Sequence, residues 1–419
     1  MLEPDGAPDG DANKWMVAIT VLVGAIMAVL DSSIVNVALP SMSGTLGVTV
    51  EEITWVVTGY ILSQVIVMPI TGMLSLRFGR RNFYLFSVLL FTGASMLCGL
   101  ARTLPLMVLF RVFQGFGGGV LLTVSQAILR ETFPARQQGM AMGLYGMGVV
   151  VAPAMGPTLG GWLTDQYSWP WIFLINVPVG VLNVFLVMRY IKDPSYLKRE
   201  KGRIDWTGLG LMTLGLGTLL LMLEKGEKYG WLESNGILAL GAVAAVSLTL
   251  FLWQELRLAK PAVNVRLLTN HSLASATALG GVLGMGLYGS LFLLPVFLQN
   301  LLGYTAMMSG QALIPRSLAM AVVMPISGRM YNRLGPRPLV LAGLVVSAWS
   351  FWELSHLTLA VSFWDIFWPQ VVQGAGMSLL FVPLTTIAMD AIPREKMGYA
   401  TSLFSLMRNI GGSIGIAVT

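Results

Sequence analysis

The chain reads as an all-α membrane protein that crosses the bilayer many times, and three observations predict this. Apolar residues fill 55% of the 419 positions and charged residues only 11%. Runs of about 20 apolar residues, the length that crosses a ~30 Å hydrocarbon core, recur along the whole sequence. These runs are apolar nearly all round, where a soluble helix of that length would carry one apolar stripe. Cys98 is the single cysteine and His271 and His356 are the only histidines, so neither an internal disulfide nor a metal-ligand set is at hand. We expect no metal and no cofactor.

The elements follow in chain order. The opening MLEPDGAPDGDAN is acidic and rich in Gly and Pro, without the basic start of a signal peptide, and residues 1–14 read as a disordered cytoplasmic tail. Spans are predicted at 15–38, 54–74, 82–101, 104–130, 138–162, 169–190, 205–223, 235–255, 273–300, 308–330, 338–357, 363–389 and 397–419. They group into a six-helix half (15–190), a basic loop (191–204), two further helices (205–255), a second loop (256–270) and another half (271–419). That second half looks incomplete, because the last run stops inside an apolar helix. The chain is therefore expected to continue past residue 419.

Loop charge sets the orientation. Twenty Lys and Arg residues fall on one side of the predicted spans and three, Arg102, Lys225 and Lys228, on the other. Because cytoplasmic loops collect basic residues, the N-terminus is placed in the cytoplasm. The same asymmetry accounts for the net charge of +6 through anionic lipid heads, without nucleic acid.

Internal repetition is the next signal. GMLSLRFGRR (72–81) and GRMYNRLGPR (328–337) share a frame in which Gly72, Arg77, Gly79 and Arg81 match Gly328, Arg333, Gly335 and Arg337. RVFQGFGGG (111–119) and QVVQGAGMS (370–378) share another, with Gln114, Gly115 and Gly117 matching Gln373, Gly374 and Gly376. Two halves related by an axis along the membrane normal account for both echoes, and leave 205–255 as an insertion between them.

Together these segments resemble the major facilitator superfamily, and within it the fourteen-helix drug:proton antiporters typified by EmrB and QacA, the EmrB type most of all. LDSSIVNVALP (30–40) resembles the first-helix signature of that group, with Ser33 in a Thr position. GMLSLRFGRR resembles the superfamily's loop motif, RVFQGFGGG its fourth-helix motif, and APAMGPTLGG (152–161) the fifth-helix motif associated with antiporters. WIFLINVPVG (171–180) and MRNIGGSIGIA (407–417) are also family-like, and the likeness spans essentially the whole chain. The sequence departs from the pattern at Leu76, where the loop motif usually carries an acid, and at Pro170, where relatives often have Arg. The resemblance implies a secondary transporter rather than an enzyme. In bacteria with two membranes it further implies a periplasmic adaptor and an outer-membrane channel as partners.

Each motif admits two readings. Gly115 and the group Pro153, Gly156, Pro157, Gly160 and Gly161 serve close helix packing, since small residues let helices approach in the bilayer. A kink at Gly156-Pro157 would also suit a gate or proton barrier. Gly72, Arg77, Gly79, Arg80 and Arg81 serve as topology anchors or as a cytoplasmic latch in which arginines bind carbonyls at helix C-termini.

Charges inside the spans carry the most weight, because each costs at least ~2.5–3.5 kcal/mol in hydrocarbon. They are Asp31, Arg111, Arg316 and Arg408. At 1.5 Å per residue, Asp31 lies about 24 Å from the start of the first span and Arg111 about 10 Å below the outer start of the fourth. Both therefore sit in the outer third of a ~30 Å core, at a depth that allows pairing. Burial and a neighbouring guanidinium pull a carboxylate's proton affinity in opposite directions, so small rearrangements would load or release its proton. Asp31 is the candidate coupling carboxylate and Arg111 its partner. Asn36, Gln64, Gly115, Arg316, Gln373 and Arg408 are candidates for the substrate cavity. With three arginines against one aspartate, that cavity should prefer neutral or anionic lipophilic compounds.

The function expected is export of lipophilic drugs across the inner membrane, driven by the proton gradient through alternating access. The alternatives are a metabolite, lipid or siderophore exporter on the same scaffold, and a membrane sensor that does not transport.

Overall fold

The computed structural model describes residues 11–193, 205–258, 261–304, 306–390 and 392–418. Residues 1–10 of the expected tail and 194–204 of the expected basic loop lie outside them, as does residue 419. Thirteen helical passes run through the described residues. They are α1 (Asp11–Leu46), α2 (Val50–Phe78), α3 (Arg80–Leu100), α4 (Leu104–Thr132), α5 (Ala135–Gln166), α6 (Trp171–Tyr190), α7 (Trp206–Lys225), α8 (Asn235–Arg257), α9 (His271–Asn300), α10 (Ile314–Leu334), α11 (Pro336–Ser355), α12 (Phe363–Asp390) and α13 (Met397–Val418).

Helix ends follow local chemistry. Thr49 and Glu52 form a capping box that opens α2. Asp205 accepts from the Gly208 amide at the start of α7, and Asn270 accepts from the amides of Ser272 and Leu273 at the start of α9. Gly79 and Gly335 turn the chain between α2 and α3 and between α10 and α11 with φ of +87° and +77°, a region that favours a residue without Cβ. The repeated glycine of the loop motif thus makes the same turn twice.

Two departures from the sequence reading have physical causes. α1 passes through Pro40 and runs on to Leu46, beyond the predicted end at 38. The tenth pass breaks at Leu313, where the short helix Ala306–Ala312 gives way to α10, with Pro315 at its start.

Ten of the described helices are long and apolar enough to cross a membrane, and the bent α5 makes eleven. α10 and α13 fall outside that set. Arg316, Arg329 and Arg333 lie on α10, and Thr401, Ser402, Ser405 and Arg408 on α13. α13 packs inside the bundle, where neighbouring protein takes the place of lipid, whereas α10 buries its Arg316 face and leaves Leu318, Val322 and Ile326 exposed.

The helices form two bundles. α1 packs on α4, α5 and α6, with α2 and α3 against α4; α9 packs on α12 and α13, with α10 and α11 against α12. α5 crosses to α10 and α12, and α13 reaches α2 and α4. The pair α7 and α8 lies outside, with α7 against α2 and α13. The largest cluster of buried apolar side chains draws on both bundles, with Tyr84, Phe91 and Tyr145 from one and Phe381 and Phe404 from the other.

Candidate functional site

Asp31 lies inside the first bundle with 1% of its surface exposed. Arg111 of α4 is fully buried and forms an ion pair with Asp31 Oδ2. Gln114, one helical turn on, accepts from Arg111 Nη1 at 2.7 Å and donates to Asp31 Oδ1 at 2.7 Å. From α6, Asn176 Nδ2 donates to the same Oδ1 at 2.8 Å and to Ser95 Oγ at 3.0 Å. Arg111 Nε donates to the Val56 carbonyl at 3.0 Å, and the guanidinium lies 4.1 Å from the centre of the Tyr60 ring. Tyr60 in turn donates to the Ala28 carbonyl at 2.8 Å. Four helices therefore fix one carboxylate, and every partner is a charged or hydrogen-bonding group, the condition under which a buried ion pair is tolerated. Arg111 Nη2 is buried without a partner, a spare donor facing the same cluster.

Asn176 and Tyr60 are the members that the sequence did not single out. An asparagine inside WIFLINVPVG is a polar break in an apolar run, and that was the available signal for Asn176. Tyr60 has no such signal, because an aromatic in a membrane helix is ordinary.

The fifth-helix motif presses on α1 beside Asp31. Pro157 has no N–H, so the Pro153 carbonyl lacks its helical donor. Ser33 Oγ supplies one at 2.8 Å. A Cβ on Gly156 would come within 2.7 Å of Ser33 Cβ, and one on Gly160 within 2.8 Å of the Ile34 carbonyl oxygen. Gly161 has only ordinary contact, at 3.9 Å from Val37. The two parts of α5, Gln137–Pro153 and Met155–Gln166, meet at 40°, one turn before Pro157, where its missing hydrogen bond releases the ladder.

The loop motif lies at the end of the molecule that carries the basic loops. Arg80 forms an ion pair with Glu131 at 2.5 Å. The Arg81 amide donates to Asp193 at 2.8 Å, and Arg81 Nη2 donates at 3.0 Å to the carbonyl of Met188 in the last turn of α6. Arg77 stands in the last turn of α2, where cations are favoured.

At this basic end the bundles are shut against each other. A Cβ on Gly72 would lie 2.7 Å from the Tyr399 amide nitrogen, and one on Gly139 2.7 Å from the Gly328 carbonyl oxygen. Thr71 Oγ1 and Ser402 Oγ are 2.8 Å apart. Arg130 of α4 pairs with Asp390 of α12, which also accepts from the Tyr331 hydroxyl of α10 at 2.7 Å.

The candidate cavity residues are scattered. Asn36 is exposed. Gln64 is buried behind Tyr60, 3.4 Å from its hydroxyl, and Gly115 lets α4 touch the backbone of α2. Arg316 and Gln373 meet inside the second bundle, where Arg316 Nη1 donates to Gln373 Oε1 at 3.2 Å and to Ser290 Oγ at 2.9 Å. Arg408 stands apart from them on α13, with its guanidinium 5.5 Å from the centre of the Phe381 ring.

Comparison with known proteins places this architecture. The sequence profile of the Major Facilitator Superfamily matches residues 21–416. The chain belongs to the major facilitator superfamily. It is 37% identical over 405 residues to the multidrug export protein EmrB of Haemophilus influenzae, an alignment covering 96% of this chain and 79% of that one. Against the fatty acid resistance protein FarB of Neisseria gonorrhoeae it is 35% identical over 416 residues, covering 98% and 80%. Among solved structures, the human organic anion transporter MFSD10 superposes with a TM-score of 0.71 at 14% identity, covering 99% of this chain and 93% of that one. The proton:xylose symporter XylE does so with 0.69, also at 14%, covering 96% and 87%. At such identities the structures speak for the facilitator fold alone. With that fold and its apolar helices, this facilitator is a multi-pass membrane protein and a secondary transporter, not an enzyme.

Proposed function

We propose that this facilitator exports lipophilic compounds across the cytoplasmic membrane in exchange for protons, with Asp31 as the coupling carboxylate. One observation carries the reading. The only carboxylate deep inside the first bundle, among the described residues, is bound by Arg111, Gln114 and Asn176 from two other helices, so a shift of α4 or α6 changes its whole environment and with it its affinity for a proton. α1 also bears the antiporter motif of α5 through Ser33 and Ile34, which links the carboxylate to a bent helix that touches the second bundle.

The cycle follows from these parts. With the basic end facing the cytoplasm, the shut state described here is closed to the inside. Protonation of Asp31 weakens its hold on Arg111, and the bundles rock until the contacts of Gly72, Gly139 and the Arg130–Asp390 pair separate. Proton release and cargo capture on the inside then restore the ion pair and return the transporter. The relatives named for multidrug export and for fatty acid resistance support a lipophilic cargo. The resemblance to EmrB-type exporters extends the proposal to a periplasmic adaptor and an outer-membrane channel. The deciding experiment is proton movement on addition of drug to proteoliposomes. Drug-driven proton flux supports the reading; drug binding without any proton flux overturns it.

A further inference from the structure

Between the outlying pair α7 and α8 and the start of α9 the chain makes a short loop at the basic end, and a cavity of about 410 Å³ opens beside it. That volume falls within the range of small-molecule sites. One wall is the loop, with Asn264, Arg266 and Thr269, and the other is the turn between α12 and α13, with Ile392 and Lys396. No acid lines it. Asn270, also in the lining, accepts from the first amides of α9, so the positive end of that 30-residue helix lies at the same space.

Both cations have capacity for a ligand. Arg266 Nη2 donates at 2.7 Å to the Leu256 carbonyl in the last turn of α8, which holds the guanidinium at the cavity and leaves its other N–H donors without an acceptor among the described residues. Lys396 is exposed and forms no ion pair among the described residues. The nearest acids in sequence, exposed Glu395 and buried Glu255, stand outside the lining.

α8 joins the cavity to the bilayer. Its Leu252, Trp253 and Leu256 are exposed and share one face of the helix. At its end Arg257 lies over the Trp253 ring at 3.8 Å, an aromatic and a cation at the level where lipid head groups begin. A ligand that is anionic at one end and apolar at the other fits both features, and the membrane supplies one. We propose that this cavity binds the phosphate of an anionic phospholipid whose acyl chains lie along the exposed face of α8. Arg266 and Lys396 bind the phosphate oxygens, and Asn264 and Thr269 bind the polar head group. The lipid then bridges the outlying pair and the second bundle. The inference needs only a chain embedded in a membrane and is independent of the cargo, the proton and the direction of transport.

The test uses the purified full chain in dodecyl maltoside, titrated with dioleoylphosphatidylglycerol, dioleoylphosphatidylcholine or inorganic phosphate, with bound lipid counted by native mass spectrometry. The wild type should take its first phosphatidylglycerol about fivefold or more tightly than phosphatidylcholine, and inorganic phosphate should not displace it. Lys396→Gln should weaken that first site about fivefold, and Lys396→Gln with Arg266→Gln about tenfold or more. Arg329→Gln removes an exposed arginine at the same end but outside the cavity, and should stay within about twofold of wild type. Equal affinity for the two lipids overturns the proposal and needs no variant to fold. A loss in Arg329→Gln as large as that in Lys396→Gln also overturns it, because the lipid then answers to the summed charge of the basic end. Displacement by inorganic phosphate at equal concentration overturns the lipid assignment and makes soluble phosphate the occupant.

Discussion

The two bundles carry related polar clusters with opposite electrostatic outcomes. In the first, Arg111 meets Asp31, and Gln114 bridges them with both ends of its amide. In the second, Gln373 occupies the repeat position of Gln114 and accepts from Arg316, but among the described residues no carboxylate joins them and Gln373 Nε2 is left without a partner. The duplicated scaffold has kept the glutamine, but Gln370 stands at the repeat position of Arg111, and the arginine of the second cluster comes from α10 instead. The first bundle is therefore internally neutral and able to change state by gaining one proton. In the second, Arg316 and Arg408 have no carboxylate partner among the described residues.

The strongest way to break this comparison is to remove the arginines one at a time. Arg111→Ala strands a buried carboxylate and should cost about 3–5 kcal/mol, measured by thermal melting in detergent, with Arg111→Lys a partial rescue because an ammonium lacks the fork. Arg316→Met removes a charge that has no counter-ion among the described residues and should stay within about 1 kcal/mol of wild type. Equal losses at both positions would mean that the second cluster is compensated after all.

The paired turns give a smaller contrast. Both Gly79 and Gly335 sit at positive φ with extended ψ, a region almost confined to glycine, so alanine costs about 1–3 kcal/mol at either. Gly335 faces open space, whereas a Cβ on Gly79 collides with the Asp193 carboxylate that receives the Arg81 amide. Gly79→Ala should therefore melt lower than Gly335→Ala, and should lose transport where the other keeps it.

Much of this was legible in the sequence, for identifiable reasons. Pairing of Asp31 with Arg111 follows from counting residues along two helices whose ends the loops define. The echo of Gln114 in Gln373 was visible, but its use as a bridge was not, because that depends on α1 and α4 lying side by side. Asn176 escaped because the third ligand of a buried carboxylate comes from a helix that is 145 residues away in the chain. The glycines of 156–161 read as packing residues, and most are. The hydrogen bond from Ser33 to the carbonyl freed by Pro157 was out of reach, since it needs the register between α1 and α5. α13 reads as an ordinary span although its polar content marks a helix sheltered by protein.

The link at the basic end should matter least to stability. Asp390 is half exposed, so Asp390→Asn should cost less than about 1 kcal/mol of stability while speeding the opening of that end, read as faster labelling of a cysteine placed at Ser402. Orientation is tested without any loss of function. In a Cys98→Ser background, Lys228→Cys should react with an impermeant thiol reagent from outside and Lys396→Cys only after permeabilisation; the opposite pattern would reverse the direction of transport.

The central claim is that Asp31 couples the proton to the cargo, and Asp31→Asn tests it most directly. The amide keeps the size and hydrogen-bonding reach of the carboxylate but cannot take up and release a proton. Reconstituted wild type and variant are compared for equilibrium drug binding and for drug accumulation driven by an imposed proton gradient. The account predicts binding within about threefold of wild type, a change of less than 1 kcal/mol, and no uphill accumulation. Accumulation at the wild-type rate would show that Asp31 is a structural charge and that the proton is carried elsewhere.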